Sequence, residues 1–447
     1  KIWGLDTHRT QEAISAEGSG AIAIGPAGEN LVSFANVASG HRFLGRGGMG
    51  AVMGSKNIKA VVAKGGEFKI LPVNKKKFDA AKVKATKFIN RNDISAGSYR
   101  NFGTNANVNM NNAGGLLPVR NFTGGTHGEA HKVSGETMSE QFKTSYSTCK
   151  PCTILCGHKG NIGGKMRQVP EYETIGLMGH KLEIFDPVQI ADWNDICSLM
   201  GMDTITAGGT LAWAMEASEK GLIKSNLRFG SPDGVSEILM DIAHTRGIGK
   251  DLAMGSRYCS KKYGGEDFAI QVKGLEMACY VPRGSFGQAL SYAVANRGAC
   301  HLASTSFILE VYLNLINPYS YNSKASLVKY QEDVLSAINS LQTCAFTALP
   351  YELETPLLKY MPKFALRICM NLMAGIALRL VDVSLWPEFW SSIIGKKLGM
   401  TAFLRAGERV QVLERFMNTR EGISRKDDIL PSRLLTEYRK CDDRELA

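Results

Sequence analysis

An α+β fold, with a short β-containing N-terminal segment leading into two mainly helical domains, is what three features of the sequence predict. A length of 447 residues with 44% hydrophobic content gives room for two or three domains, each with its own buried core. Near the start, the pattern runs strand, glycine-rich turn, strand. Beyond position 156, helical periodicity alternates with short glycine-containing turns, with no tandem repeat and no low-complexity tract.

In order along the chain, Ala21-Ile22-Ala23-Ile24 and Lys59-Ala60-Val61-Val62-Ala63 read as strands on either side of the loop Gly45-Arg46-Gly47-Gly48-Met49-Gly50. Pro72 and the run Lys75-Lys76-Lys77 mark a linker, and residues 75–89 carry helical apolar spacing. Residues 101–125 are rich in Asn and Gly and have little periodicity, the usual signature of a functional or flexible stretch. Helical runs are predicted at 186–199, 204–220, 232–244, 327–339 and 364–380. The domain boundaries expected from this pattern are 1–72, 73–275 and 276–447, with the cysteine cluster in the second domain.

The most apolar stretch, 364–386, is interrupted by Arg367, Arg379 and Asp382, so it reads as a packed amphipathic helix and not as a membrane span. The first residues, Lys1-Ile2-Trp3-Gly4-Leu5-Asp6, contain no secretory leader and read like the middle of a longer sequence. The formal net charge is +11. The basic residues are scattered and no DNA- or RNA-binding module accompanies them, which argues against nucleic acid and leaves an acidic redox partner, cofactor phosphates or a plain solvated surface. Ten cysteines are too few for a disulfide framework in a chain this long. Their clustering points to a reducing compartment and a metal.

Cys149, Cys152 and Cys156 are spaced C-x2-C-x3-C, which lets one loop and the turn after it aim three thiolates at one centre. An iron-sulfur cluster is the leading reading. A zinc site would want a second cysteine or histidine pair, although His158 stands close enough to complete one, and three unrelated buried cysteines are the bland alternative. The fourth ligand is open on spacing alone: Cys344, Cys197, Cys279 and Cys300 are all candidates. Gly45, Gly47 and Gly50 match G-x-G-x-x-G, but the residues before them, Ala38-Ser39-Gly40-His41-Arg42, read as a turn and not as the strand that a dinucleotide fold requires. A structural turn and an anion site served by Arg46 remain the competing readings.

Taken together, several segments resemble the aldehyde ferredoxin oxidoreductase family along nearly the whole chain. They are Ala23-Ile24-Gly25-Pro26-Ala27-Gly28-Glu29-Asn30, Gly45 to Gly54, the cysteine cluster and Pro170-Glu171-Tyr172-Glu173-Thr174. Later come Gly201-Met202-Asp203-Thr204-Ile205, Arg297-Gly298-Ala299-Cys300-His301, Arg420-Glu421-Gly422 and Arg425-Lys426-Asp427-Asp428. The resemblance implies tungsten or molybdenum held by two pterins, with Mg2+ as a further ion on the pterin phosphates, and a 4Fe-4S cluster close by. It also implies oxidation of a small aldehyde to a carboxylate with ferredoxin or a ferredoxin-like subunit as acceptor, a cytoplasmic, anaerobic setting, and a homodimer as the common assembly.

Carried over residue by residue, the family's cluster ligands fall on Cys149, Cys152, Cys156 and Cys344. Its active-site carboxylate falls on Glu173, with Glu171 as fallback, and its histidine on His301. Arg46, Gly47, Gly48 and Asp203, together with Cys344, stand where the family binds its cofactor. A carboxylate at Glu173 suits proton removal from water as it adds to the aldehyde carbon; an imidazole at His301 suits hydrogen bonding to the carbonyl oxygen.

Two departures weigh against a full match. The family's pterin-holding D-x-x-G-L-C/D motifs appear as Ser198-Leu199-Met200-Gly201-Met202-Asp203 and Asn339-Ser340-Leu341-Gln342-Thr343-Cys344, so both leading carboxylates are replaced. The family also has a β-rich region ahead of the position of Lys1, which makes 1–72 the remainder of a pterin cradle. Against an aldehyde oxidoreductase stand two other readings: reduction of a different substrate such as an aromatic thioester, and a non-catalytic electron-transfer or scaffold subunit that keeps the cluster alone.

Overall fold

The computed structural model describes residues 1–66, 69–437, 439–441 and 444–446. Strands β1 (Ser19–Ala23), β2 (Val37–Ser39), β3 (Arg42–Leu44) and β4 (Ala60–Lys64) form one antiparallel sheet in the order β3-β2-β1-β4. Ala23 pairs with Ala38 on one side and with Ala60 on the other. The segment Ala38 to Arg42, expected to be a turn, is the β2–β3 hairpin, so the glycine loop does follow a strand and does open a helix, Met49–Ser55. The sheet is nonetheless wholly antiparallel, which excludes the parallel βαβ unit of a dinucleotide fold.

Beyond residue 72 helices dominate, as expected. Helices Lys75–Arg91, Pro187–Met200, Thr204–Glu219, Val235–Ala243 and Lys324–Ser340 lie within a few residues of their predicted positions. Thr204–Glu219 is buried all round, which explains why its apolar residues carry no one-sided stripe. The predicted run 364–380 is broken: Lys363–Leu372 ends at Met373, whose φ of −135° and ψ of 38° are not helical, and short turns continue to Leu380. The sequence reading missed Met400–Arg420, which packs along Lys324–Ser340. A Cβ on Gly407 would lie 1.8 Å from the Asp333 carbonyl oxygen, so only glycine permits that approach.

The largest core gathers Trp193, Trp213, Tyr172, Phe122 and Phe268; a second joins Trp386 and Phe403 to Ile154, Tyr99 and Val334. The N-terminal sheet is tied to the first of these by the strip 33–36. Asn36 N–H donates to the Gly201 carbonyl, Asp203 N–H to Phe34, and Gly50 N–H to Ala35, each at 2.9–3.1 Å. These bonds bring the glycine loop against the turn ahead of helix Thr204–Glu219. Among the described residues, no helix is long and apolar enough to cross a membrane.

Candidate functional site

Three groups of residues surround the junction between sheet and helices. In the first, Arg46 turns inward and lies nearly buried beside Asp203. Its Nε donates to Asp203 Oδ2 at 3.2 Å, Nη1 to the Ala299 carbonyl at 3.3 Å and Nη2 to the Glu276 carbonyl at 2.5 Å. Asp203 also caps helix Thr204–Glu219, accepting from Ile205 N at 3.2 Å and Thr206 N at 3.0 Å. Arg46 is thus neutralised within the protein. Gly47 and Gly48, whose φ values are +106° and +73°, border a cavity of about 430 Å³ together with Arg257, Lys261 and Arg297.

A second cavity, of about 380 Å³, lies on the other side of Asp203 and is lined by Arg42, Glu171, Thr174 and Ser198. Buried polar atoms without partners, Asn36 Oδ1, Thr206 Oγ1 and Glu276 Oε2, lie on these same elements. Two polar cavities flanking one buried Arg–Asp pair, one of them basic, fit a ligand with phosphate groups and hydrogen-bonding rings.

The second group is the thiols. Cys149, Cys152 and Cys156 sit on the connection 147–157 between strands β5 (Ser145–Tyr146) and β6 (His158–Ile162). Cys344 arrives from the end of helix Lys324–Ser340 and its following turn. All are free thiols. They are close enough to act on one another: burial first, then Glu171, Cys344 and Cys152, push the Cys156 thiol up to about 12. Burial raises Cys344 too, with Cys152 and Cys149 adding to the effect.

Among the described residues no group of three is placed to hold a single metal ion. His158, the residue that could complete a zinc site, has Nε2 3.1 Å from the Arg100 carbonyl. Cys197 and Cys279 are buried in the largest core and Cys300 is buried beside Arg297, whereas Cys152 and Cys156 pack against the second core. Arg42, read from sequence only as part of a turn, pairs with Glu171 at 2.7 Å and feels the charges of Cys149 and Cys156. No motif signalled it; the β2–β3 hairpin places it there.

The third group faces an enclosed cavity of about 110 Å³. Glu173 lies in the turn Tyr172–Thr174, where Oε2 accepts from Cys279 N–H at 2.9 Å while Oε1 has no hydrogen-bond partner. His301 Nε2 is 3.5 Å from that Oε1, and its Nδ1 is likewise unpartnered. Burial raises Glu173 to about 8, against the opposing effect of the Cys279 N–H. Burial, with Arg46 and Arg297 adding to it, lowers His301 to about 3. Near neutrality this is therefore an uncharged acid facing an uncharged imidazole. Glu171, the fallback, lines the same cavity but is paired with Arg42. Ala345 and Phe346, the residues after Cys344, also line it, so the thiols and the Glu173–His301 cavity are neighbours.

Comparison with known proteins matches this architecture. Residues 1–65 match the N-terminal domain of aldehyde ferredoxin oxidoreductase, and residues 80–445 match its domains 2 and 3. The chain is similar to the tungsten-containing aldehyde ferredoxin oxidoreductase of Pyrococcus furiosus, 34% identical over 455 residues that cover 98% of this chain and 70% of that protein. The enzyme of the same name from Thermococcus kodakarensis is 32% identical, with the same shares covered. In fold, it resembles the active site complex BamBC of benzoyl coenzyme A reductase, with a TM-score of 0.74 at 19% identity over 96% of this chain and 70% of that one. The chain belongs to the aldehyde ferredoxin oxidoreductase family and is an oxidoreductase of that kind.

Proposed function

We propose that the chain oxidises an aldehyde to a carboxylate at a tungsten- or molybdenum-bis-pterin centre and passes the electrons through a 4Fe-4S cluster to an acidic ferredoxin-like acceptor. The observation that carries this reading is the facing of Glu173 and His301 across 3.5 Å, each with an unpartnered polar atom, in a cavity bordered by the residues that follow Cys344.

The reaction takes one aldehyde and one water to one carboxylate, three protons and two electrons. When bound, the metal-pterin supplies a two-electron acceptor; Gly47, Gly48, Arg257, Lys261 and Arg297 in one cavity beside Arg46–Asp203, and Asn36, Thr174 and Ser198 in the other, are the residues that would hold its phosphate and polar groups. Mg2+ would share the phosphate charge there. Glu173, once ionised, takes the proton from water as the oxygen approaches the carbonyl carbon. The Cys279 N–H holds the carboxylate in that orientation. His301, neutral, donates to the carbonyl oxygen as negative charge develops on it.

Cys149, Cys152, Cys156 and Cys344 hold the cluster, and Arg42 beside it stabilises the thiolate charge. The excess of basic residues favours an acidic partner in a reducing cytoplasm. A homodimer is the proposed assembly. The test is anaerobic: aldehyde added to the purified holoenzyme should reduce a low-potential dye with formation of the matching carboxylate. No aldehyde-dependent reduction by metal-replete protein would overturn the assignment.

A further inference from the structure

The segment 355–381 carries two rows of apolar side chains, and the protein covers only one of them. On helix Lys363–Leu372 and the short turns after it, Met370, Ala374 and Leu378 are buried and pack on Ile316 and Leu327. Asn371 fastens that face: its Oδ1 accepts from Asn317 N–H and its Nδ2 donates to the Leu315 carbonyl, both at 3.0 Å. The other row, Phe364, Ile368, Leu372, Ile376 and Leu380, also recurs every fourth residue and is 53–78% exposed. Tyr360, at the end of helix Pro356–Tyr360, continues the spacing and is 74% exposed. Because the two rows are offset by two positions at a helical period, they stand on opposite faces of the segment. A contiguous row of large side chains held in water marks a binding surface.

The charges beside the row have one sign. Residues 355–381 contain Lys359, Lys363, Arg367 and Arg379 and neither Asp nor Glu. Lys359 pairs with Glu354, whereas Lys363, Arg367 and Arg379 are exposed and make no ion pair among the described residues. A second copy of the chain laid on this face would set cation against cation, since a two-fold interface brings the same patch to itself. A transient redox partner makes a small contact and has no use for so long an apolar row. Large apolar side chains aimed one way, with long basic side chains at their flanks, are what an anionic lipid surface takes up: the apolar row enters the acyl boundary while the cations stay among the headgroups.

We propose that this face docks the protein on an anionic phospholipid surface, the segment lying in the plane of the membrane without crossing it. The inference is independent of the substrate oxidised at the Glu173–His301 site.

The experiment is cosedimentation of the purified holoenzyme with vesicles, either of phosphatidylcholine alone or of equal parts phosphatidylcholine and phosphatidylglycerol. The protein should pellet with the mixed vesicles, far less with phosphatidylcholine alone, and less again as salt is raised. Arg367→Gln with Arg379→Gln should weaken partitioning by about tenfold to thirtyfold. Ile368→Asp with Leu372→Asp should weaken it by about 100-fold or more. All four side chains are exposed, so iron content and the thermal midpoint should match wild type; the Arg pair leaves the apolar row intact and tests the proposal even if the Asp pair lowers the midpoint. No pelleting with either vesicle, or binding that neither pair of substitutions weakens, would overturn the proposal. So would self-association without vesicles that Ile368→Asp with Leu372→Asp abolishes, because a second copy would then cover the row.

Discussion

His301 Nε2 lies 3.5 Å from Glu173 Oε1, yet the two do not form an ion pair near neutrality, because burial moves their pKa values in opposite directions, to about 3 and about 8. A contact that looks like a salt bridge is a neutral acid beside a neutral base. That state suits a site which must take one proton and offer another.

Glu173 must lose its proton before it can act as a base. The expected kcat/KM therefore rises with pH toward about 8 and flattens above it. Glu173→Gln should lower kcat by roughly 10²–10⁴-fold and remove the rising limb, while Glu173→Asp keeps the limb at reduced rate. The pH–rate profiles of the three proteins check this.

The same shift bears on stability. A carboxyl whose folded pKa of about 8 exceeds its unfolded value near 4.5 stabilises the fold fully below the unfolded value. That contribution is lost as pH rises through about 8. Removing this one titration with Glu173→Gln should flatten part of the fall in Tm between about pH 5 and 9, an effect on the order of a few kcal/mol. Thermal unfolding across that range, wild type against variant, measures it; identical pH dependence would contradict the burial argument.

Asp203 serves a helix cap and a buried guanidinium at once. Asp203→Ala should cost roughly 3–5 kcal/mol, because it leaves Arg46 charged and unpaired in the interior. Asp203→Asn keeps an acceptor for the cap and should cost less; the double variant Asp203→Ala with Arg46→Met should recover part of the loss. Denaturant unfolding gives all three values.

Cys344 lies far from the other three cysteines in sequence but within their electrostatic reach. Cys344→Ser should lower iron content and the visible cluster absorbance, with Cys259→Ser, at a buried cysteine outside the loop set, as the control that leaves both unchanged.

How much of this was readable in the sequence differs from element to element. Helices with clear end signals, such as Pro187–Met200 with Asp186 as its N-cap, Pro187 at its first position and Gly201 at its end, were located to within a residue or two because those signals are local. Met400–Arg420 was missed because its apolar residues face two ways: Phe403 and Gly407 are buried, whereas Val412, Leu413 and Phe416 are exposed. The turn reading of residues 38–42 failed because a hairpin of three-residue strands is too short to show alternation.

At the site, spacing pointed to Cys149, Cys152 and Cys156, whereas Glu173, His301 and the choice of Cys344 came from the resemblance to the family. The pairing of Arg46 with Asp203, the Cys279 N–H on Glu173 and the place of Arg42 depend on contacts between distant segments. No spacing rule encodes those contacts.

The most direct test of the account is the metal content of protein purified without oxygen. A metal-pterin beside a four-cysteine cluster requires about one tungsten or molybdenum and about four irons per chain. Iron in that amount with neither tungsten nor molybdenum would contradict the catalytic reading and leave an electron carrier in its place.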